Sequence, residues 1–188
     1  MFPLQNLFII FSLSFLGLGL TLSIAMARFR GANFIGKPSA QAFLFYSSKL
    51  SIFFSIGFML VKAIVPSFGW IVIPGWLAWI AACLVFVGSL MLLISFFSMG
   101  KALKYGLPEE GTRLIINGIF RVSRNPLYLG LFIVNIASIL FNPCLLNILV
   151  SGYCILSHTK LIHGEERFLE ARFGEEWIAY KKKVRRYI

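Results

Sequence analysis

The chain has 188 residues, of which 59% are apolar, 16% aromatic and 13% charged, with a mean hydropathy of +0.84 and no Asp. Soluble domains average roughly 45–50% apolar and about 25% charged, so a water-soluble globule is excluded for want of a charged surface. The net charge of +11 would suggest nucleic acid in a soluble chain, but the basic residues fall between apolar runs, as in a membrane protein facing anionic lipid, and no nucleic-acid partner is expected.

The first apolar run, Leu4 to Met26, is long enough to cross the hydrocarbon at about 1.5 Å per residue. Ala25-Met26-Ala27 looks like a signal-peptidase site, but no Lys or Arg precedes the run and it exceeds the roughly 7–15 residues of a signal core, so a retained span is expected. Arg28-Phe29-Arg30 ends it, and Gly31 to Ser39 reads as a polar loop closed by Lys37-Pro38. Gly17-Leu18-Gly19 lacks the strand-turn-helix context of a nucleotide loop and is read as helix packing.

A second span is expected from about Phe43 to Val65, with Lys49 and Lys62 snorkelling to opposite interfaces; a lysine lining a polar site is the other reading of Lys49. Pro66 to Trp70 and Pro74-Gly75-Trp76 form an uncharged aromatic turn suited to an interface. The third span runs from about Leu77 to Phe97, and Gly100 to Pro126 is the longest polar stretch. Leu127 to Phe141 and Cys144 to Ser157 are two short apolar legs about the Asn142-Pro143 turn, which reach span length as tilted or interface-anchored helices.

Cys83, Cys144 and Cys154 all lie inside apolar runs with no CxxC pair, so they read as small buried hydrophobes. His158 and His163 are five apart, which does not align them as metal ligands on one helix face; they read as interfacial, and no metal is expected. Asn135 and Asn147 are candidates for hydrogen bonds between helices.

Charge sorts the loops. The first gap holds Arg28, Arg30 and Lys37, the third gap five Lys or Arg, and the stretch from Lys160 onward eight, while the second gap and the Asn142-Pro143 turn hold none. Positive-inside logic puts the N-terminus outside and both basic gaps and the C-terminus in the cytoplasm. The expectation is an all-α integral membrane protein of about five transmembrane helices, with a C-terminal helical hairpin and a cytoplasmic amphipathic tail. Residues 1–99 form a three-helix membrane region and 100–188 the region that carries chemistry.

The hairpin leaves and re-enters one membrane surface, so Arg124 to Tyr128 and Glu165 to Glu166 become neighbours: a guanidinium, a phenol and two carboxylates beside an apolar wall. Beyond it, Phe168, Leu169, Phe173, Trp177 and Tyr180 recur at helical spacing, Gly174 can break the tail in two, and Lys181 to Lys183 with Arg185-Arg186 suit anionic lipid.

The run Asn117-Gly118-Ile119-Phe120-Arg121-Val122-Ser123-Arg124-Asn125-Pro126-Leu127-Tyr128-Leu129-Gly130 resembles the G-x-[YF]-R-x-x-R-[HN]-P-x-Y-x-G segment of the isoprenylcysteine carboxyl methyltransferase and phospholipid methyltransferase superfamily. Glu165-Glu166, then Phe173-Gly174-Glu175-Glu176-Trp177-Ile178-Ala179-Tyr180 and Val184-Arg185-Arg186, resemble the second half of its signature. The resemblance covers roughly residues 100–188 and implies a membrane methyltransferase that uses S-adenosylmethionine and acts on a lipid or lipidated acceptor at the cytoplasmic face. It implies that Arg124 pairs with the donor's carboxylate, that Asn125 and Tyr128 hydrogen-bond to it, and that Glu165 and Glu166 hold its ammonium or ribose hydroxyls. Pro126 fixes the helix entry, and Arg124 and Glu166 are the candidate catalytic residues. Where many carboxyl methyltransferases have Arg-His-Pro, this chain has Arg124-Asn125-Pro126; an amide does not titrate near neutrality, so Asn125 binds or orients. Two other readings fit an old enzyme fold of this kind: a sterol-type reductase using NADPH, and a membrane protein without enzymatic activity.

Overall fold

A computed structural model describes residues 3–29, 41–68, 71–99 and 113–188. The loop expected at Gly31 to Ser39, the Gly69-Trp70 pair and the Gly100 to Thr112 part of the polar stretch, with its Lys101, Lys104, Glu109 and Glu110, lie outside the described residues. Six α-helices are described: α1 (Leu4–Phe29), α2 (Ala42–Ile64), α3 (Gly75–Met99), α4 (Pro126–Phe141), α5 (Leu145–Phe173) and α6 (Glu175–Lys183), with one 3-10 turn at Gly118–Arg121. There are no strands among the described residues.

Helices α1, α2, α3 and α5 are long and apolar enough to cross a membrane, and the chain is read as a multi-pass membrane protein. Helix α4 has only 16 residues, about 24 Å at 1.5 Å per residue, and falls short of a usual span. Chemistry sets these limits. Pro126 occupies the first turn of α4, where a missing N–H costs nothing. Pro143 cannot continue the helix past Asn142. Helix α5 has 29 residues, about 43 Å against roughly 30 Å of hydrocarbon, so its last turns project beyond the apolar layer and carry Glu165 and Glu166 with them. Gly174, at φ +49°, takes a left-handed conformation that separates α5 from α6.

Helix α3 packs between α1 and α4, α2 packs against α1 and α5, and α4 also touches α2 and α5, closing a ring of five helices. Small residues let α3 and α4 approach: a Cβ on Gly130 would lie 2.9 Å from the Gly88 carbonyl oxygen, and one on Gly88 2.9 Å from that of Gly130. Of the two glycines read as packing in α1, Gly19 meets Leu93 and Gly17 meets nothing.

A polar seam joins α2, α4 and α5. Asn147 Nδ2 donates to the Ser138 and Asn142 carbonyls at 2.9 and 2.8 Å, Ser138 Oγ donates to the Ser55 carbonyl at 2.9 Å, and the Ser55 and Ser151 hydroxyls pair at 2.8 Å. Asn147 thus bonds between helices as expected, whereas Asn135 Nδ2 turns back onto Leu131 of its own helix. Two readings are corrected. Cys83 is exposed on the outer face of α3, where a thiol is tolerated by lipid as readily as by a core. His158 is not interfacial but fully buried, because α2 and α4 cover the α5 face that bears it.

Candidate functional site

The site is built on the entry to α4. Asn125 stands at the N-cap of α4, yet its side chain caps nothing; its backbone N–H is held instead by Ser123 Oγ at 3.1 Å. Its Nδ2 is thereby free to donate to Glu166 Oε1 at 3.2 Å. Arg124 Nη2 lies 3.4 Å from the same oxygen, and both side chains are only 7% exposed. The other carboxylate oxygen is taken by Arg186, whose Nε and Nη2 donate to Oε2 at 3.1 and 2.7 Å. One residue earlier, Glu165 Oε1 accepts the Tyr128 hydroxyl proton at 2.7 Å. The two stretches flagged in the sequence, Arg124 to Tyr128 and Glu165 to Glu166, therefore meet.

The C-terminal tail closes the site. Arg185 O accepts the Arg124 N–H at 3.0 Å and Arg186 O accepts the Ser123 hydroxyl at 3.1 Å. Tyr187 packs edge-on against Phe132 of α4 with ring centroids 5.9 Å apart. In α6, Trp177 and Tyr180 turn inward; the Tyr180 hydroxyl donates to the Phe120 carbonyl at 2.6 Å, and the Arg124 guanidinium lies 5.7 Å from the Trp177 ring. Glu175 and Glu176 in the first turn of α6 and Lys181 to Lys183 in its last suit the helix dipole.

Glu166 faces two guanidinium groups, Arg124 and Arg186, and Glu165 stands one residue away with the Tyr128 hydroxyl on its Oε1. The hydrogen bond that Arg186 donates to Glu166 pushes the Arg186 guanidinium further toward its charged form. Burial pushes the Tyr180 phenol up to about 12, with the nearby Arg124 charge pulling the other way. Arg124 Nε and Nη1 and Trp177 Nε1 are buried with no hydrogen-bond partner among the described residues. Three orphaned donors, two of them on a guanidinium, suit an acceptor of hydrogen bonds.

All six residues singled out in the sequence lie here, with Pro126 as the buried first residue of α4. Arg186, Trp177 and Ser123 were missed. Arg186 read as part of a lipid-facing basic end, and the contact that redirects it spans 20 residues and a helix break. Trp177 read only as one member of an apolar stripe. Lys49, read as snorkelling to an interface or lining a polar site, and His158, read as interfacial, both lie against the Tyr128 ring, at 5.9 and 5.8 Å.

An all-helical, multi-pass membrane protein with paired arginines and glutamates at one end of its bundle is the class so defined. The phospholipid methyltransferase family model matches residues 76–176, more than half of the chain, and the chain belongs to that family. It is also 31% identical over 113 residues to a protein-S-isoprenylcysteine O-methyltransferase of Dictyostelium discoideum. That match takes in 56% of this chain and 46% of the relative, so the chain spans about half the length of the relative it matches.

Proposed function

We propose that the protein is an S-adenosylmethionine-dependent methyltransferase acting on a lipophilic acceptor at the cytoplasmic membrane face. The observation that carries this reading is the set of orphaned donors, Arg124 Nε, Arg124 Nη1 and Trp177 Nε1, beside the Arg124 and Arg186 guanidinium groups that Glu166 holds. These groups fit the carboxylate of S-adenosylmethionine, and Glu165 lies close by to accept from its ammonium or ribose hydroxyls. When bound, the donor supplies a sulfonium-activated methyl group for in-line displacement.

The protein's own part is to bind, align and exclude water. Glu166 holds Arg124 and Arg186 in register; with Oε1 and Oε2 both taken, it acts as an anchor and not as a base. Asn125 supports that anchor, Tyr128 orients Glu165, and Pro126 sets the direction of α4. The tail from Glu175 onward covers the cluster from the water side.

Orientation follows from loop charge. An N-terminus outside and a C-terminus inside require an odd number of crossings, which the four long helices supply only if α4 also reaches across with α5. In this arrangement residues 100–188 carry the chemistry and residues 1–99 form the supporting membrane region. The test is calorimetric titration of the detergent-solubilised protein with S-adenosylhomocysteine. Micromolar binding that is lost in Arg124→Ala supports the reading, and no binding to the wild type rejects it.

A further inference from the structure

We propose that Lys182, Lys183 and Arg185 bind the headgroups of anionic phospholipids, and that lipid held there fixes the C-terminal tail over the Arg124 to Glu166 cluster and so tightens the cluster's hold on its ligand. The inference names a second ligand beyond the methyltransferase reading; it rests on that reading only for the nucleoside used in its test.

Depth comes first. Tyr187 packs on Phe132, which lies six residues into α4 from Pro126, about 9 Å along the helix axis. After the break at Gly174 the tail therefore turns back toward the apolar layer, and Tyr187 sits where interfacial tyrosines do. Two large apolar side chains beside it stay uncovered: Val122, next to the Ser123 that bonds the tail, is 64% exposed and Ile188 75%. The Tyr180 hydroxyl pins α6 to the same turn through the Phe120 carbonyl. Uncovered apolar side chains among cations make an interfacial anchor.

Charge gives the ligand its sign. Residues 113–188 hold eleven Lys or Arg against five Glu. Three of those glutamates are engaged: Glu165 with Tyr128, Glu166 with Arg124 and Arg186, and Glu170 with Lys181. Glu175 and Glu176 stand at the start of α6, seven residues before Lys182 and Lys183, about 10 Å away along the axis and near one Debye length. Lys182, Lys183 and Arg185 are exposed and have no ion pair or hydrogen bond from their side chains among the described residues. Free phosphate would meet the same cations, but the depth of Tyr187 and the bare Val122 and Ile188 favour a phosphate carried by lipid. In the orientation proposed above, this end faces the leaflet that carries anionic lipid.

The backbone couples the two ligands. The Arg185 carbonyl accepts the Arg124 N–H at 3.0 Å, the Arg186 carbonyl accepts the Ser123 hydroxyl at 3.1 Å, and the Arg186 side chain grips Glu166. Lipid that holds the side chains of Lys182, Lys183 and Arg185 thus holds the peptide groups that place Arg124. By linkage, each ligand that favours the closed tail raises the affinity of the other by the same factor.

The test uses the full chain in nanodiscs of phosphatidylcholine, alone or with about a third phosphatidylserine. S-adenosylhomocysteine is titrated by calorimetry; its carboxylate and ammonium cancel, so the surface potential does not itself concentrate it. Affinity should be about 5- to 20-fold higher with phosphatidylserine, and about 0.5 M salt should remove most of the gain. Phosphatidylglycerol should act like phosphatidylserine, and inorganic phosphate added to phosphatidylcholine discs should not. The Lys182→Gln, Lys183→Gln double variant should match the wild type in phosphatidylcholine and lose most of the gain, whereas the double arginine variant keeps it. Hydrogen exchange of the Arg124 amide, the one bonded to the Arg185 carbonyl, gives a second readout. It should slow with phosphatidylserine in the wild type and not in the glutamine variant. Equal exchange in both lipids, a gain that survives the glutamine variant, or an equal gain from inorganic phosphate overturns the proposal. A wild type that binds no S-adenosylhomocysteine in either lipid rejects the methyltransferase reading, and the exchange of Arg124 then decides the lipid site by itself.

Discussion

Arg186 reaches back across a helix break to grip Glu166, with Nε and Nη2 both on Oε2 at 3.1 and 2.7 Å. The last residues of the chain are thus part of the site and not a loose basic end. Arg186 side-chain exposure is 33% against 7% for Glu166, so solvent weakens the pair on one side only.

Arg186→Ala should therefore cost about 1–2 kcal/mol of stability, less than a fully buried pair. It should also free the tail, and with it the Arg185 and Arg186 carbonyls that hold Arg124, Ser123 and Asn125. Arg186→Lys should fall between, since an ammonium lacks the two-point fork. Thermal melting in detergent checks this; equal melting temperatures for the three proteins would refute the tail's role.

Trp177 separates packing from ligand binding. Its ring is buried under Arg124 and against Tyr180, so Trp177→Ala should cost about 3–5 kcal/mol. Trp177→Phe keeps an aromatic ring but loses part of the indole together with Nε1, which has no partner to lose. Its stability should fall by about 1–2 kcal/mol, less than for the alanine variant, while S-adenosylhomocysteine affinity falls about 3- to 10-fold, the worth of one hydrogen bond. Unchanged affinity would remove Trp177 from the donor site.

Legibility in the sequence followed the range of the interactions. Helix existence rests on runs such as Gly75 to Met99, which hold no charge, and the start of α4 on Asn125-Pro126; both are local and were readable. The meeting of Arg124 with Glu166 was readable because a hairpin turning at Asn142-Pro143 brings the chain back to the membrane surface it left. Arg186 was not, because only the left-handed turn at Gly174 and the end of α6 bring it back. His158 was misread for a related reason: its burial is set by α2 and α4, which nothing in its own helix pattern reports.

The crossing of α3 and α4 leaves no room for a methyl group. A Cβ at Gly130 would sit 2.9 Å from a backbone oxygen that cannot move independently of α3. Gly130→Ala should cost about 1–3 kcal/mol through overpacking and shift the Arg124 to Tyr128 segment that α4 positions. Gly152→Ala, with nothing within 4 Å, is the control and should be neutral or mildly stabilising. Unfolding by denaturing detergent measures both, and equal stability of the two variants would contradict the close approach.

Tyr180 gives the tail a defined response to alkali. Its phenol stays neutral in the folded protein up to about 12, whereas in an unfolded chain it ionises near about 10. Below the lower value both forms carry the proton and the contribution of Tyr180 is complete. Between the two values only the unfolded form releases it, so stability falls as pH rises and then levels off. Tyr180→Phe lacks this slope and, having lost the bond to the Phe120 carbonyl, should be less stable than the wild type by about 1 kcal/mol at neutral pH. The gap in melting temperature between the two proteins should therefore shrink across that alkaline window. Tyrosinate absorbance, taken as wild type minus Tyr180→Phe, should titrate with a midpoint near the higher value; a midpoint at the free-tyrosine value would mean that Tyr180 is solvated and that α6 does not close the site.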